Sequence, residues 1–302
     1  MSELGPVQED DAERSLCPLC STESRVAGRK QGRRIQREFT VRQCPACRFA
    51  FVANPCTDFD QIYSEAYYQG RGSDPMVDYL FELEHPDLTI RQFEWEGIAE
   101  IINRLRPLNS NTRWLDFGCG NGGLVRYCRK TVGCEAWGFE EGWITQRAEE
   151  KGIPLLPRPQ LADQRGRFDV ITAIEVIEHT IQPLEFLAEV RTLLKPGGLL
   201  FVTTGNAAPY SRNVCRWPYV LPEIHNSFFE PTNLGQAMQK SGFRCEYPRF
   251  GPGWEKVIKF KLLKNLGFRQ TAWWMNLIPW GATARLCDAR FKITAHPIGW
   301  AV

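Results

Sequence analysis

No run of about 18 apolar residues occurs in the 302-residue sequence, which excludes a membrane-spanning helix. The opening stretch, MSELGPVQEDDAERSL, is acidic and lacks the apolar segment of a secretion signal. An excess of one charge is missing too. Lys and Arg number 37 against 35 Asp and Glu, for a formal net charge of +2, so the chain is not a nucleic-acid coat protein basic throughout. There is no internal repeat and no low-complexity tract. Histidine is scarce, with four in all, so each is worth tracing. Cysteine is not scarce. Eleven of them, an odd number without a secretion signal, read as reduced thiols in a cytoplasmic setting.

What is present is a core-forming composition, 43% hydrophobic and 24% charged, enough for one α/β domain with a smaller appendage. Residues 1–15 read as a flexible tail, 16–52 as a cysteine-framed module, and 53–110 as a linker and helical cap. In the cap, Ile90, Phe93, Ile98, Ile101, Ile102 and Leu105 recur at helical spacing, and Asp87 is the expected N-cap. From Thr112 the rhythm is strand, turn, helix. Strands are predicted at 112–117, 135–140, 168–174 and 198–204, with a weak one near 153–155. Helices are predicted at 123–131, 143–151 and 183–194, which indicates a parallel sheet covered on both faces. Further on, a helix is expected at 232–241, a strand at 243–248, an aromatic helical insert at 254–288 and a closing strand within 292–302.

The densest signal is Trp114-Leu-Asp-Phe-Gly-Cys-Gly-Asn-Gly-Gly123. Gly118, Gly120 and Gly122 allow a sharp turn and close approach of a ligand to bare main chain. Glu140, 22 residues after Gly118, ends the next strand, where an acidic side chain accepts hydrogen bonds from ribose hydroxyls. Asp116 precedes the loop. A carboxylate there suits a cofactor with a cationic amino group and would repel a pyrophosphate.

Leu115-Asp-Phe-Gly-Cys-Gly-Asn-Gly resembles motif I of the class I S-adenosylmethionine-dependent methyltransferases. Phe168-Asp-Val-Ile-Thr-Ala-Ile-Glu-Val-Ile-Glu-His179 resembles the family's fourth strand and the loop beyond it, and Leu194-Lys-Pro-Gly-Gly-Leu-Leu-Phe201 its turn into the fifth strand. The resemblance spans residues 112–245. It implies a doubly wound, mostly parallel, seven-stranded Rossmann-like sheet at 111–302. It also implies S-adenosylmethionine as cofactor, with Gly118 and Gly120 at its methionine part and Glu140 at its ribose. Asp116, Cys119, Gln160 and Glu175 complete the expected cofactor-binding set, Gln160 as the hydrogen-bonding candidate for adenine.

Cys17-Pro-Leu-Cys20 and Cys44-Pro-Ala-Cys47 form two C-P-x-C knuckles 23 residues apart, the ligand set of a structural tetrahedral zinc. The interval slightly exceeds the usual 15–20 or so, and Ser21 and Arg48 stand where glycine commonly follows a knuckle. Eight basic residues lie between 21 and 48, opposed by Glu23 and Glu38. They read either as a solvated hairpin or as a surface for RNA, a nucleotide diphosphate or anionic lipid. A knuckle pair ahead of such a domain resembles bacterial methyltransferases of sugar-nucleotide, surface-polysaccharide and natural-product pathways, which methylate oxygen or carbon.

Methyl transfer from a sulfonium is an in-line displacement helped by a base that takes the acceptor's proton. His225 is the leading candidate base. His179, beside Glu178, is the other, with a loop-capping role as its alternative. Glu175, Glu178 and His179 also have the ligand types for a divalent ion. The expected partner is a small-molecule acceptor, free, nucleotide-linked or lipid-linked. The alternating basic and apolar residues from Lys256 to Lys264 admit peripheral membrane contact, a homodimer or ordinary packing. The competing function is an RNA methyltransferase gripping phosphates with the module. Against it, the fourth-strand loop lacks an Asn-Pro-Pro-Tyr or Asp-Pro-Pro-Tyr signature. A nonenzymatic scaffold is disfavoured by the intact glycine loop and Glu140.

Overall fold

The computed structural model describes residues 14–73, 78–294 and 296–302; most of the predicted tail lies outside these residues. Among the described residues, ten strands form two sheets. In chain order they are β1 (Arg25–Gln31), β2 (Glu38–Gln43), β3 (Ala50–Val52), β4 (Arg113–Phe117), β5 (Glu135–Phe139), β6 (Phe168–Ile174), β7 (Leu194–Thr203), β8 (Ser227–Phe228), β9 (Phe243–Glu246) and β10 (Ile298–Ala301).

The large sheet runs β5-β4-β6-β7-β10-β9. β4, β5, β6 and β7 are mutually parallel, while β10 lies antiparallel to both β7 and β9. The central strands are apolar along nearly their whole length because helices cover both faces, which makes this a Rossmann-like sheet. It has six strands among the described residues, not seven. The strand expected near 153–155 is a single parallel bridge, Gly138 to Leu155. Pro154 and Pro157 flank that bridge, and neither has an N–H to extend the ladder.

The helix Gln92–Leu105 buries Trp95, Ile98, Ile101 and Ile102 against the sheet and against the helix Trp254–Asn265. The two come together at glycines: a Cβ on Gly97 would sit 2.6 Å from the Gly253 carbonyl. The predicted Asp87 cap is not used. The helix begins at Gln92, behind Arg91, without a side-chain cap. The aromatic insert folds as two helices, Trp254–Asn265 and Trp280–Phe291, closed around Ile90, Phe260, Leu263 and Met275. No helix among the described residues is long and apolar enough to cross a membrane.

The small sheet runs β1-β2-β3-β8. Its first three strands come from the cysteine module, but β8 belongs to the long connection after β7, so the module is sewn into the domain. Both knuckles turn alike. The Ser21 amide donates to the Cys17 carbonyl and the Arg48 amide to the Cys44 carbonyl, at 2.8 and 3.0 Å. Ser21 and Arg48 accordingly adopt φ of 57° and 65°, the left-handed region in which a Cβ is costly. Ser21→Gly should therefore raise the free energy of unfolding by about 1 kcal/mol; a denaturant titration showing no gain would contradict this reading.

Candidate active site

The glycine loop follows β4 directly. Gly118, Gly120 and Gly122 have φ of 72°, 53° and 71°, and a Cβ on Gly118 would fall 2.6 Å from the Val176 side chain. The Gly118 and Cys119 amides donate to the Phe139 carbonyl, fastening the loop to the end of β5. One residue on, Glu140 takes hydrogen bonds from the Gly120 amide at 2.8 Å, the Gly142 amide at 3.1 Å, the Glu141 amide at 3.2 Å and the Tyr68 hydroxyl at 3.2 Å. A carboxylate so fixed by short-range donors is a rigid acceptor at the sheet edge.

Beside it opens a cleft of about 890 Å³, lined by Gly118, Phe139, Glu140, Trp143 and Arg158 on one side and by Phe59 and Tyr63 on the other. Arg158 lies over the Phe139 ring at 4.4 Å and is paired with Glu141 at 2.7 Å. Gln160, the adenine candidate, is exposed and does not line the cleft; Arg158 and Trp143 occupy that end instead. Both were missed; Arg158 stands two residues before Gln160 in the same short helix and faces the cleft where Gln160 does not.

A smaller recess on the other side of the loop is lined by Asp116, Arg91, Glu94, Asn121 and Gly118. Asp116 accepts from Thr172 Oγ1 at 2.8 Å, and Thr172 in turn accepts from Trp114 Nε1 at 2.9 Å. Burial pushes the Asp116 carboxyl up to about 7 despite the Thr172 bond. Arg91, also missed, is buried between Glu82 and Glu94, at 2.7 and 2.9 Å. The recess thus holds a carboxyl and a guanidinium side by side, the charges opposite to those of an amino-acid end group.

At the carboxyl end of β6 the predicted catalytic residues converge. His179 Nδ1 lies 2.9 Å from the Ile224 carbonyl, so it carries the proton, and the Tyr63 hydroxyl lies 3.0 Å from the same atom. His225 Nδ1 donates to the Tyr219 carbonyl at 2.7 Å. His179 carries its proton on Nδ1, which leaves its Nε2 as an acceptor. The centroids of the two rings are 4.9 Å apart. Burial, with repulsion from His225, holds His179 down at about 3, so it is neutral at physiological pH.

Glu178 is fully buried, and its Oε1 is hydrogen-bonded to the Tyr219 hydroxyl, which also donates to Glu175 Oε2 at 2.7 Å. One hydroxyl proton cannot serve two carboxylates, so one of them must be protonated. Burial and the Glu175 charge push Glu178 up to about 8, which assigns it the proton. Burial opposes ionisation of Glu175 as well. The Lys261 ammonium at 3.0 Å, the Tyr219 hydroxyl and Lys264 outweigh it and hold Glu175 well below the usual carboxylate range. The divalent-ion set expected at Glu175, Glu178 and His179 is therefore not the one that forms. Glu175 has Lys261 as its counter-ion, while ligand-type atoms of Glu178, His179 and His225 lie within 4.8 Å of one another.

The four module cysteines also converge. Sγ separations are 3.6 Å for Cys17–Cys47, 3.5 Å for Cys20–Cys44 and 3.7 Å for Cys20–Cys47, with no disulfide among them.

A methyltransferase-domain family model matches residues 90–247, just over half of the chain, from the helix Gln92–Leu105 through β9. The chain belongs to the methyltransferase-domain family. Curated relatives include the ubiquinone biosynthesis O-methyltransferase of Cereibacter sphaeroides, 33% identical over 147 residues, covering 43% of this chain and 59% of that protein. The Aeromonas salmonicida enzyme of the same name is 24% identical over 199 residues, 56% of this chain and 83% of the relative. The chain thus spans less than two thirds of the length of the first of these relatives. Among solved structures, the Haemonchus contortus phosphoethanolamine N-methyltransferase 2 bound to S-adenosyl-L-methionine is 15% identical. It covers 83% of this chain and 60% of its own, at a TM-score of 0.48. The matched span, residues 90–247, includes neither the cysteine module nor the C-terminal helix pair.

Two outcomes follow for cofactor binding. Glu140→Ala should weaken S-adenosylmethionine binding more than tenfold, about 1.4 kcal/mol, and unchanged calorimetric affinity would refute the assignment. An ammonium beside Asp116 favours its ionised form, so affinity should rise as pH increases through about 7 and then level off. Asp116→Asn should flatten that profile; a wild-type affinity independent of pH between 6 and 8 would contradict it.

Proposed function

We propose that the protein transfers the methyl group of S-adenosylmethionine to an oxygen of a small-molecule acceptor. The observation that carries this is the position of Tyr63. Its ring lines the cleft beside Glu140, and its hydroxyl touches His179, so the imidazole pair adjoins the cofactor cleft. Glu140 holds the ribose, Asp116 and Arg91 the amino-acid end, and Gly118, Cys119 and Gly120 supply the bare backbone between. Glu175, carried on the turn after β6, shapes the boundary between cofactor and acceptor.

The acceptor hydroxyl approaches His225, whose Nε2 takes its proton as the oxygen attacks the methyl carbon. The electron pair of the breaking carbon–sulfur bond leaves with the sulfur. His179, neutral and held to the Ile224 carbonyl, positions the His225 loop and offers a second acceptor nitrogen. Glu178, the protonated member of its pair with Glu175, stays neutral and adds no negative charge beside the imidazoles. Tyr210, Trp217, Tyr219 and His225 stack in succession, with centroids 5.7, 4.8 and 4.3 Å apart, which fixes the His225 ring from one side. The printed name of the relatives, O-methyltransferase, supports oxygen over carbon.

The RNA reading draws no support from the module. Arg29, Arg42 and Arg48 are paired with Glu38, Glu23 and Glu230, and Lys30, Arg33 and Arg37 donate to the carbonyls of Val220, Ser73 and Asn54. The same commitments leave few of the module's cations for the diphosphate of a sugar nucleotide, so the acceptor class stays at a small molecule with an ionisable hydroxyl.

The knuckles fit a structural zinc. Bonds of about 2.3 Å in a tetrahedron place sulfurs about 3.8 Å apart, next to the 3.5–3.7 Å found. When bound, the metal supplies cross-linking and no chemistry. Metal analysis should find one zinc per chain, lost from a Cys17→Ser, Cys20→Ser variant; metal-free wild-type protein with full stability would overturn this.

Once an acceptor that turns over is in hand, His225→Ala should lower kcat by 10²-fold or more and leave S-adenosylmethionine affinity within twofold. Undiminished turnover would remove His225 as the base.

A further inference from the structure

We propose that the four-cysteine module positions the two histidines, and that Asn226 is the residue through which it does so. The proposal rests on the reading of His179 and His225 as the acceptor-side pair, but its geometry and its test are separate from catalysis.

Asn226 is buried and joins three segments that are far apart in sequence. Its amide donates to the Glu178 carbonyl at 2.7 Å, and its Nδ2 donates to the His179 carbonyl at 3.0 Å. Its own carbonyl accepts the amide of Val52, the last residue of β3, at 3.0 Å. One residue before it stands His225. One further back is Ile224, whose carbonyl orients the His179 ring. The backbone that Asn226 ties to the module thus carries His225 and, at Ile224, the carbonyl that holds the His179 ring, while the His225 ring itself is held by the Tyr219 carbonyl.

The tie is reinforced on both sides. β3 and β8 pair through Ala50 with Phe228 and Phe51 with Ser227, and Ser227 Oγ donates to the Thr180 carbonyl at 2.8 Å. Arg14 donates to the Ile181 carbonyl at 2.9 Å and the Val52 carbonyl at 2.6 Å, clamping the same two segments.

On the module side, β3 starts three residues after Cys47, and the Cys44 amide closes on the Phe49 carbonyl at 2.9 Å. A three-residue strand has little stability of its own. It keeps its register because the knuckle holds its beginning and β2 and β8 hold its flanks. The Glu140 carboxylate, in contrast, takes its hydrogen bonds from residues 68, 120, 141 and 142, none of them in the module. Opening the knuckles should accordingly release the imidazoles and spare the cofactor cleft.

With only four histidines, the full-length protein labelled with ¹⁵N in its imidazoles gives a readout that needs no acceptor. Asn226→Ala should retain its zinc and bind S-adenosylmethionine within twofold of wild type. The signals of His179 and His225 should shift and lose their Nδ1–H tautomer pattern, while His85 and His296 stay in place. Withdrawing metal from wild-type protein with a chelator should move the same two signals. Ser227→Ala, a milder change that removes one clamp, should shift them in the same direction by less, and it serves if Asn226→Ala does not fold. Unmoved His179 and His225 signals in the folded variants or after chelation would overturn the proposal. So would a chelation response that shifts all four alike, because the module would then be holding the whole fold. Full turnover by His225→Ala would cost the base assignment alone.

Discussion

The bond between the Gly120 amide and the Glu140 carboxylate, 2.8 Å long, is the contact on which the site depends. It couples two parallel strands at the edge where their carboxyl ends open, and it exists only because the intervening backbone is bare enough to turn through left-handed φ three times in five residues. From it follow the rigidity of the Glu140 carboxylate, the mouth of the cleft between Phe139 and Tyr63, and the separation of that cleft from the recess at Asp116. An α/β sheet generates such a crevice where its strand order reverses, here between β4 and β6. The chain lines this crevice with Glu140 and Asp116 and with two arginines, Arg158 and Arg91, each paired with carboxylates.

On the acceptor side the governing constraint is proton count. Tyr219 has one proton and two carboxyl neighbours. Lys261 breaks the tie by stabilising charge on Glu175, which leaves Glu178 neutral. The C-terminal helix pair thus reaches Glu175 through Lys261, while the cysteine module meets the backbone beside the imidazoles at Val52 and Asn226.

Much of this was legible in the residue order. The strands predicted at 168–174 and 198–204 are found in β6 and the end of β7, and the three glycines sit in a left-handed turn bonded to Glu140. The knuckles announced themselves by spacing. The weak strand near Leu155 failed because two prolines removed its donors. Asp87 failed as a cap because the helix starts five residues later. Gln160 failed to reach the cleft because it lies on the exposed face of the short turn Arg158–Leu161. Lys261, Tyr219 and Arg91 carry no local signature at all. Each matters through a partner made near by the fold, as Lys261 meets Glu175 from 86 residues away. The pairing of β3 with β8 is of the same kind, since two residues of strand leave no trace in hydrophobic periodicity.

The most direct test of the account is a crystal structure of the protein with S-adenosylhomocysteine. The account requires both ribose hydroxyls within hydrogen-bond distance of Glu140 and the sulfur between the glycine loop and the His179–His225 pair. A crevice still closed by side chains, or one that holds a dinucleotide with its phosphates against the loop, would contradict it.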